Sequence, residues 1–100
     1  MDIQELTAKM DQLVTAKGWY QPDSPKPQTV RSLAISLSIE AAEVLEHVQW
    51  QESPQNNAAL ADELADVGLY LLQLARIAGI DLEAAILAKL SRNHQRQWDE

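Results

Sequence analysis

An all-α fold, a single four-helix bundle spanning residues 1–100, is predicted by three observations. Apolar residues recur at i, i+3, i+4 and i+7 over most of the chain, the spacing of helices with one buried face. Helix-starting and helix-stopping residues divide that pattern into four segments. Glycine occurs only three times and alternating β-branched runs are few, which leaves little material for strands.

The first helix is expected over about residues 2–17. Asp2 and Glu5 fit a capping box, Ile3, Leu6, Met10, Leu13 and Val14 form one apolar face, and Gly18 supplies a stop. The stretch from Trp19 to Pro27 holds three prolines, each restricting the residue before it, and reads as a loop. A second helix is expected to begin near Pro27–Thr29 and to run to about Trp50, with Leu33, Leu37, Ala41, Val44 and Val48 as its stripe. Ser53-Pro54 marks a break, and Ser53 or Asn57 is available to cap the third helix, which runs to about Ala78 before Gly79. Its stripe is Leu60, Leu64, Val67, Leu71, Leu74 and Ala78, and the run Leu69–Ile77 is apolar on more than one face, so it needs cover on several sides. Asp81 caps a fourth helix with Leu82, Ala85, Ile86 and Leu90 facing inward, ending in a polar, partly basic tail.

Two acid pairs interrupt the apolar stripes. Glu40 falls between Leu37 and Val44, with Glu43 one turn on. Glu63 lies one helical step from Leu60, Leu64 and Val67, and Asp66 follows at i+3. Ionised carboxylates facing a core are costly unless compensated, and a hard divalent cation is the usual compensation where no Lys or Arg is near. On spacing alone, the alternative is a set of solvated or salt-bridged acids, since an acidic chain produces such pairs by chance, Glu43/Glu46 among them.

Composition narrows the partners. With 15 acids against 8 bases and a net charge of −7, the chain lacks the basic footprint of a nucleic-acid-polymer binder, although metal ions could still let it handle phosphates. No signal peptide and no bilayer-length apolar run are evident, so no membrane partner is expected. The absence of cysteine suits a reducing cytoplasm.

Glu40-x-x-Glu43, followed after 19 residues by Glu63-x-x-Asp66, resembles the E-x2-E…E-x2-D signature of the MazG-like all-α nucleoside triphosphate pyrophosphohydrolases. Arg31-Ser32-Leu33, Gln49-Trp50, Leu64-Ala65 and Val67 with Tyr70, Gly79-Ile80-Asp81-Leu82 and Lys89-x-x-x-Asn93 fall in the same order, so the likeness covers roughly residues 19–97. Trp50 and the aromatic loop before the second helix make it most similar to the dCTP pyrophosphatase branch.

The resemblance implies Mg²⁺-dependent cleavage between the α- and β-phosphates of a (d)NTP, dCTP or a modified dCTP above all, to a monophosphate and pyrophosphate, with Mn²⁺ as a substitute ion. It implies Glu40, Glu43, Glu63 and Asp66 as metal ligands, one of them free to act instead as base on the water. Lys89 and Asn93, with Arg96 at i+7, are implied as phosphate or sugar contacts, and Arg31 as a further phosphate contact. Trp50, Tyr70 and Trp19 are implied around the base. For these residues the plainer readings are aromatic packing, a cation favouring a helix C-terminus, and a surface ion pair. Assembly as a dimer or tetramer is also implied, and the thin core expected of 100 residues agrees.

Two departures stand out. His47, at i+4 from Glu43, replaces an apolar residue usual in that branch, and Arg96-Gln97-Trp98 lacks the Tyr-Pro that often follows the basic run, which leaves the base preference open. Rival readings are a broader NTP or dUTP pyrophosphatase and a non-catalytic helical interaction module. A di-iron bundle is disfavoured, because neither histidine stands at i+3 from a glutamate.

Overall fold

The computed structural model describes residues 1–19, 23–24 and 28–95. It contains four helices, α1 (Ile3–Ala16), α2 (Val30–Glu46), α3 (Asn57–Ile77) and α4 (Leu82–Gln95), and no strand among the described residues. None of these helices is long and apolar enough to cross a membrane.

The helix ends follow local chemistry. Asp2 Oδ1 accepts from the Glu5 amide at 2.8 Å. At α2, Thr29 and Ser32 cap each other reciprocally, the Ser32 amide donating to Thr29 Oγ1 (3.0 Å) and the Thr29 amide to Ser32 Oγ (2.9 Å). Asp81 Oδ1 accepts from the Ala84 amide at 3.1 Å, as expected of a cap. Gly18 and Gly79 both take φ of +72°, the left-handed conformation that closes α1 and α3 and that residues with a Cβ resist.

Two boundaries differ from expectation. Helix α2 stops at Glu46 rather than near Trp50. The amides of His47 and Val48 bond back three residues, to Val44 and Leu45, and this tightened turn ends the regular i→i−4 ladder. The cap of α3 is Asn56, not Ser53 or Asn57. Its Oδ1 accepts from the Ala59 amide at 3.0 Å, the reach of an N-cap side chain to the third helical amide.

Helices α2 and α3 form the most extensive packing in the chain, and α1 lies against α3. The α2–α3 pair is antiparallel. Glu40 and Glu43, late in α2, meet Glu63, early in α3, while Gln28 just ahead of α2 accepts a hydrogen bond from Gln73 late in α3. Arg76 joins α3 to α1 through Asp11, Nε to Oδ2 at 2.9 Å. Helix α4 touches chiefly α1 and buries none of its residues.

The core within one chain is small: Met10, Val14, Leu33 and Ala75, with Gln73 as a buried amide. Several expected core positions are exposed, including Leu6 and Leu13 of α1, Ala41 of α2, Leu64, Leu71 and Ala78 of α3, and Ala85, Ile86 and Leu90 of α4. Those stripes are real in the sequence, but a single chain supplies too few faces to cover them. The accessible surface, 7633 Å², exceeds the roughly 5,700 Å² expected of an 11.2 kDa monomer. The radius of gyration, 16.0 Å, likewise exceeds the roughly 13 Å of a compact chain this long.

Candidate metal and nucleotide site

The α2–α3 hairpin does what the acid spacing requires. Glu40 and Glu43 come from successive turns of α2 and Glu63 from the facing side of α3. Each offers a carboxylate oxygen, and these oxygens lie within 4.8 Å of one another. All three side chains are half-buried. Asp66, one turn beyond Glu63, is more exposed and outside that close group, yet near enough that its charge helps raise the pKa of Glu40.

The crowding is visible in protonation. Glu40 is held above the ordinary carboxylate range, first by sharing a hydrogen bond with Glu63, then by burial and by the charges of Glu63 and Asp66, against an opposing hydrogen bond from Glu43. Glu43 is raised as well, chiefly by its hydrogen bond to Glu40 and by that neighbour's charge. Like charges this close favour the protonated form unless a cation intervenes.

Among the described residues, no Lys or Arg forms an ion pair with any of the four acids. Of the described residues, His47 is the one base within ion-pair reach, its Nε2 3.8 Å from Glu63 Oε1. Glu63 Oε2 is buried with no hydrogen-bond partner. An all-oxygen donor set, an orphaned buried carboxylate oxygen and mutually raised acids fit a hard divalent cation better than a solvated helical face.

Beside the acids, Asp66 joins Trp19 and Tyr70 in lining a cavity of about 210 Å³, completed by Met10, Leu13, Val14, Leu69 and Gln73. Two of the three predicted aromatics thus share one apolar recess with one predicted acid. Trp50 does not. It lies in the α2–α3 connection, 86% exposed, and is not among the residues lining this recess. A larger cavity, about 310 Å³, separates α1, α3 and the start of α4 and is bordered by the Asp11–Arg76 pair, away from the acids. It reflects the loose seating of α4 and gathers no comparable chemistry.

The other predicted residues are spread out. Arg31 is exposed on the first turn of α2, and Lys89 is exposed on α4. Asn93, one turn further along α4, is half-buried, and its Oδ1 is buried without a hydrogen-bond partner. Arg96 lies outside the described residues. The contact of His47 with Glu63 is the feature that sequence reasoning left without a role, although the i+4 spacing from Glu43 already placed the ring near the acids.

The MazG-like family matches residues 35–100, a span that contains both acid pairs. The chain belongs to the MazG-like family. Human dCTP pyrophosphatase 1 is 34% identical over 95% of this chain and 56% of its own length, and the rat protein of the same name is 33% identical over the same shares. A dATP/dGTP diphosphohydrolase of Salmonella phage PMBT28 is 32% identical over 81% of this chain and 24% of its own length. This MazG-like chain therefore spans just over half the length of the dCTP pyrophosphatases it matches. Among solved structures, a pyrophosphatase from Archaeoglobus fulgidus DSM 4304 superposes with a TM-score of 0.79 at 32% identity, over 93% of this chain and 89% of that one.

Proposed function

We propose that this chain is a Mg²⁺-dependent nucleoside triphosphate pyrophosphohydrolase acting on dCTP or a modified dCTP. The observation that carries the reading is the acid cluster itself, three carboxylate oxygens from two helices within 4.8 Å, beside a recess lined by Trp19 and Tyr70. The dCTP pyrophosphatase relatives support the reaction and the base, and the phage relative supports a second reading, a broader dNTP specificity.

Glu40, Glu43, Glu63 and Asp66 would hold the cation, with Mn²⁺ able to replace Mg²⁺ at an all-oxygen site. When bound, the ion supplies neutralisation of charge on the departing pyrophosphate and acidifies the water it carries. The chain's own work is positional. The hairpin fixes the carboxylates before substrate arrives, and one of them takes the proton of the attacking water. Hydrolysis joins that water's oxygen to the α-phosphorus and leaves the bond's electron pair on pyrophosphate.

Trp19 and Tyr70 would pack on the base, in the recess they line together with Asp66. Lys89 and Asn93 present a charge and an unpaired acceptor on one face of α4, suited to phosphate and sugar, with Arg96 and Arg31 as further cations. Trp50 is too exposed to serve the recess of its own chain and is assigned to a neighbouring copy. That assignment goes with self-association as a dimer or tetramer. Exposed Ile80, Ile86, Leu87 and Leu90 in and before α4, with Ile35, Ile39 and Leu45 on α2, are large apolar side chains that a neighbouring copy would cover. A cytoplasmic location completes the reading.

The test is pyrophosphate release from a panel of canonical and modified dNTPs, with Mg²⁺ and with EDTA. Release from dCTP or its analogues that requires Mg²⁺ is expected, with Glu63→Gln lowering kcat by more than about 100-fold, the scale of removing one preorganised electrostatic group. Release that persists in EDTA, or none from any nucleotide by the folded and assembled protein, would overturn the reading in favour of a helical interaction module.

A further inference from the structure

We infer that His47 is a positioning residue for the metal-binding acids. Its imidazole N–H is placed to hold Glu63 Oε1 and to leave the unpartnered Oε2 to the cation. The inference deepens the metal-dependent reading above and rests on it.

The geometry is specific to one acid. His47 is the C-cap of α2, one turn past Glu43, and its backbone is pinned on both sides. Its amide donates back into the last turn of α2, and its carbonyl accepts from Gln51 Nε2 at 3.0 Å. The ring therefore leaves the helix from a fixed base, 23% exposed, beside a Glu63 side chain that is 14% exposed. Nε2 stands 3.8 Å from Glu63 Oε1, which is ion-pair distance and a little under 1 Å beyond a hydrogen bond.

The nitrogen is not one of the clustered donors. Histidine nitrogens are ordinary metal ligands, yet the group of mutually close donor atoms comprises Glu40, Glu43 and Glu63 without His47. His47 thus stands outside the cluster, beside one of its ligands. That is the place of a group that orients a ligand rather than of the ligand itself. Among the described residues, no other side-chain base reaches any of the four acids, so an apolar residue at position 47 would leave Glu63 with no cationic or N–H partner of this kind. Two separate facts about Glu63 then agree: one oxygen has a base beside it, and the other is buried with no hydrogen-bond partner. Restricting the carboxylate's rotation in this way lowers the entropy lost when an ion binds, and losing such a contact typically costs about 10–100-fold in metal affinity.

The experiment uses Mn²⁺ alone, without nucleotide, titrated into the chelator-stripped chain and followed by the electron paramagnetic resonance of the free ion. His47→Leu is expected to weaken binding by about 10-fold or more. His47→Gln, whose amide still donates, is expected to restore affinity to within about 3-fold of wild type. Metal-free melting temperatures should stay alike, since the role is exerted through the ion site. Wild-type affinity in His47→Leu, with binding lost in Glu63→Gln, would overturn the inference while leaving the metal site intact. So would a fall in His47→Gln as deep as that of Glu63→Gln, a comparison that stands even if the leucine variant does not fold. Nitrogen coupling in the spin-echo spectrum of wild-type bound Mn²⁺ would instead make His47 a ligand and overturn the positioning role. If wild type binds no Mn²⁺, or Glu63→Gln binds as well as wild type, the metal reading itself falls, and that result is distinct from the others.

Discussion

The α2–α3 hairpin and helix α4 are built on different principles. The hairpin packs along its length, carries reciprocal capping at its start and assembles three acids unaided. Helix α4 is regular and capped by Asp81, but it touches chiefly α1 and leaves Leu87 and Leu90 in water. One chain thus completes the negative half of the proposed site, while the half that would meet phosphate rides on an element with little hold on its own chain. Local structure and tertiary support are separate achievements, and for α4 only the first is evident within one chain.

The strongest way to break this contrast is to charge the exposed face of α4. Leu87→Glu with Leu90→Glu should weaken the proposed self-association by at least about 100-fold, because a leucine buried between copies would contribute roughly 1.5–3 kcal/mol. Sedimentation velocity reads the change directly, and pyrophosphate release should fall with assembly. An unchanged oligomer would mean that α4 is covered by nothing and that its exposure is the native state.

A change in the hairpin should act differently. Leu33 is the largest fully buried side chain among the described residues, and Leu33→Ala should cost about 2–5 kcal/mol of folding stability, read as a lower denaturation midpoint at every protein concentration. If the loss instead vanished at high protein concentration, the hairpin too would owe its stability to neighbours.

The gentlest test concerns protons. Glu40 and Glu43 both titrate above their ordinary value, so between that value and the raised one the native chain binds more protons than the unfolded chain. Stability in EDTA should therefore rise as pH falls into that window and decline as pH climbs through it. Thermal melts should show the slope flattened in Glu40→Gln, which isolates this term from the general repulsion of a chain carrying −7. Added Mg²⁺ should flatten it as well.

Much of this was legible in the residues. Asp2, Thr29 and Asp81 announce helix starts because a short polar side chain has one good use there, and Gly18 and Gly79 announce stops for an equally local reason. The acid pairs were readable because helical spacing converts directly into a shared face. The end of α2 was not, since neither glycine nor proline marks it and a turn bonded three residues back costs little. Nor could the sequence say which tryptophan meets Asp66. Trp50 has the better helical address, but Trp19 is the one that chain geometry brings to the recess. The exposed stripes escaped for a deeper reason. Periodicity reports that a face wants cover, not whether the same molecule provides it.

The buried amide of Gln73 has a consequence of a different kind. It holds Gln28, at the near end of α2, while at the far side of the intervening segment the Trp19 amide donates to the Val14 carbonyl at 3.1 Å. Both ends of that segment are thus moored to helices, and only what lies between the moorings is open to revision. Doubling the length of such a closed stretch costs only about 0.6 kcal/mol. A lineage could therefore lengthen, shorten or rewrite what joins the two moorings while the acids on α2 and α3 keep their register. The linking segment and the acid cluster can evolve on separate clocks.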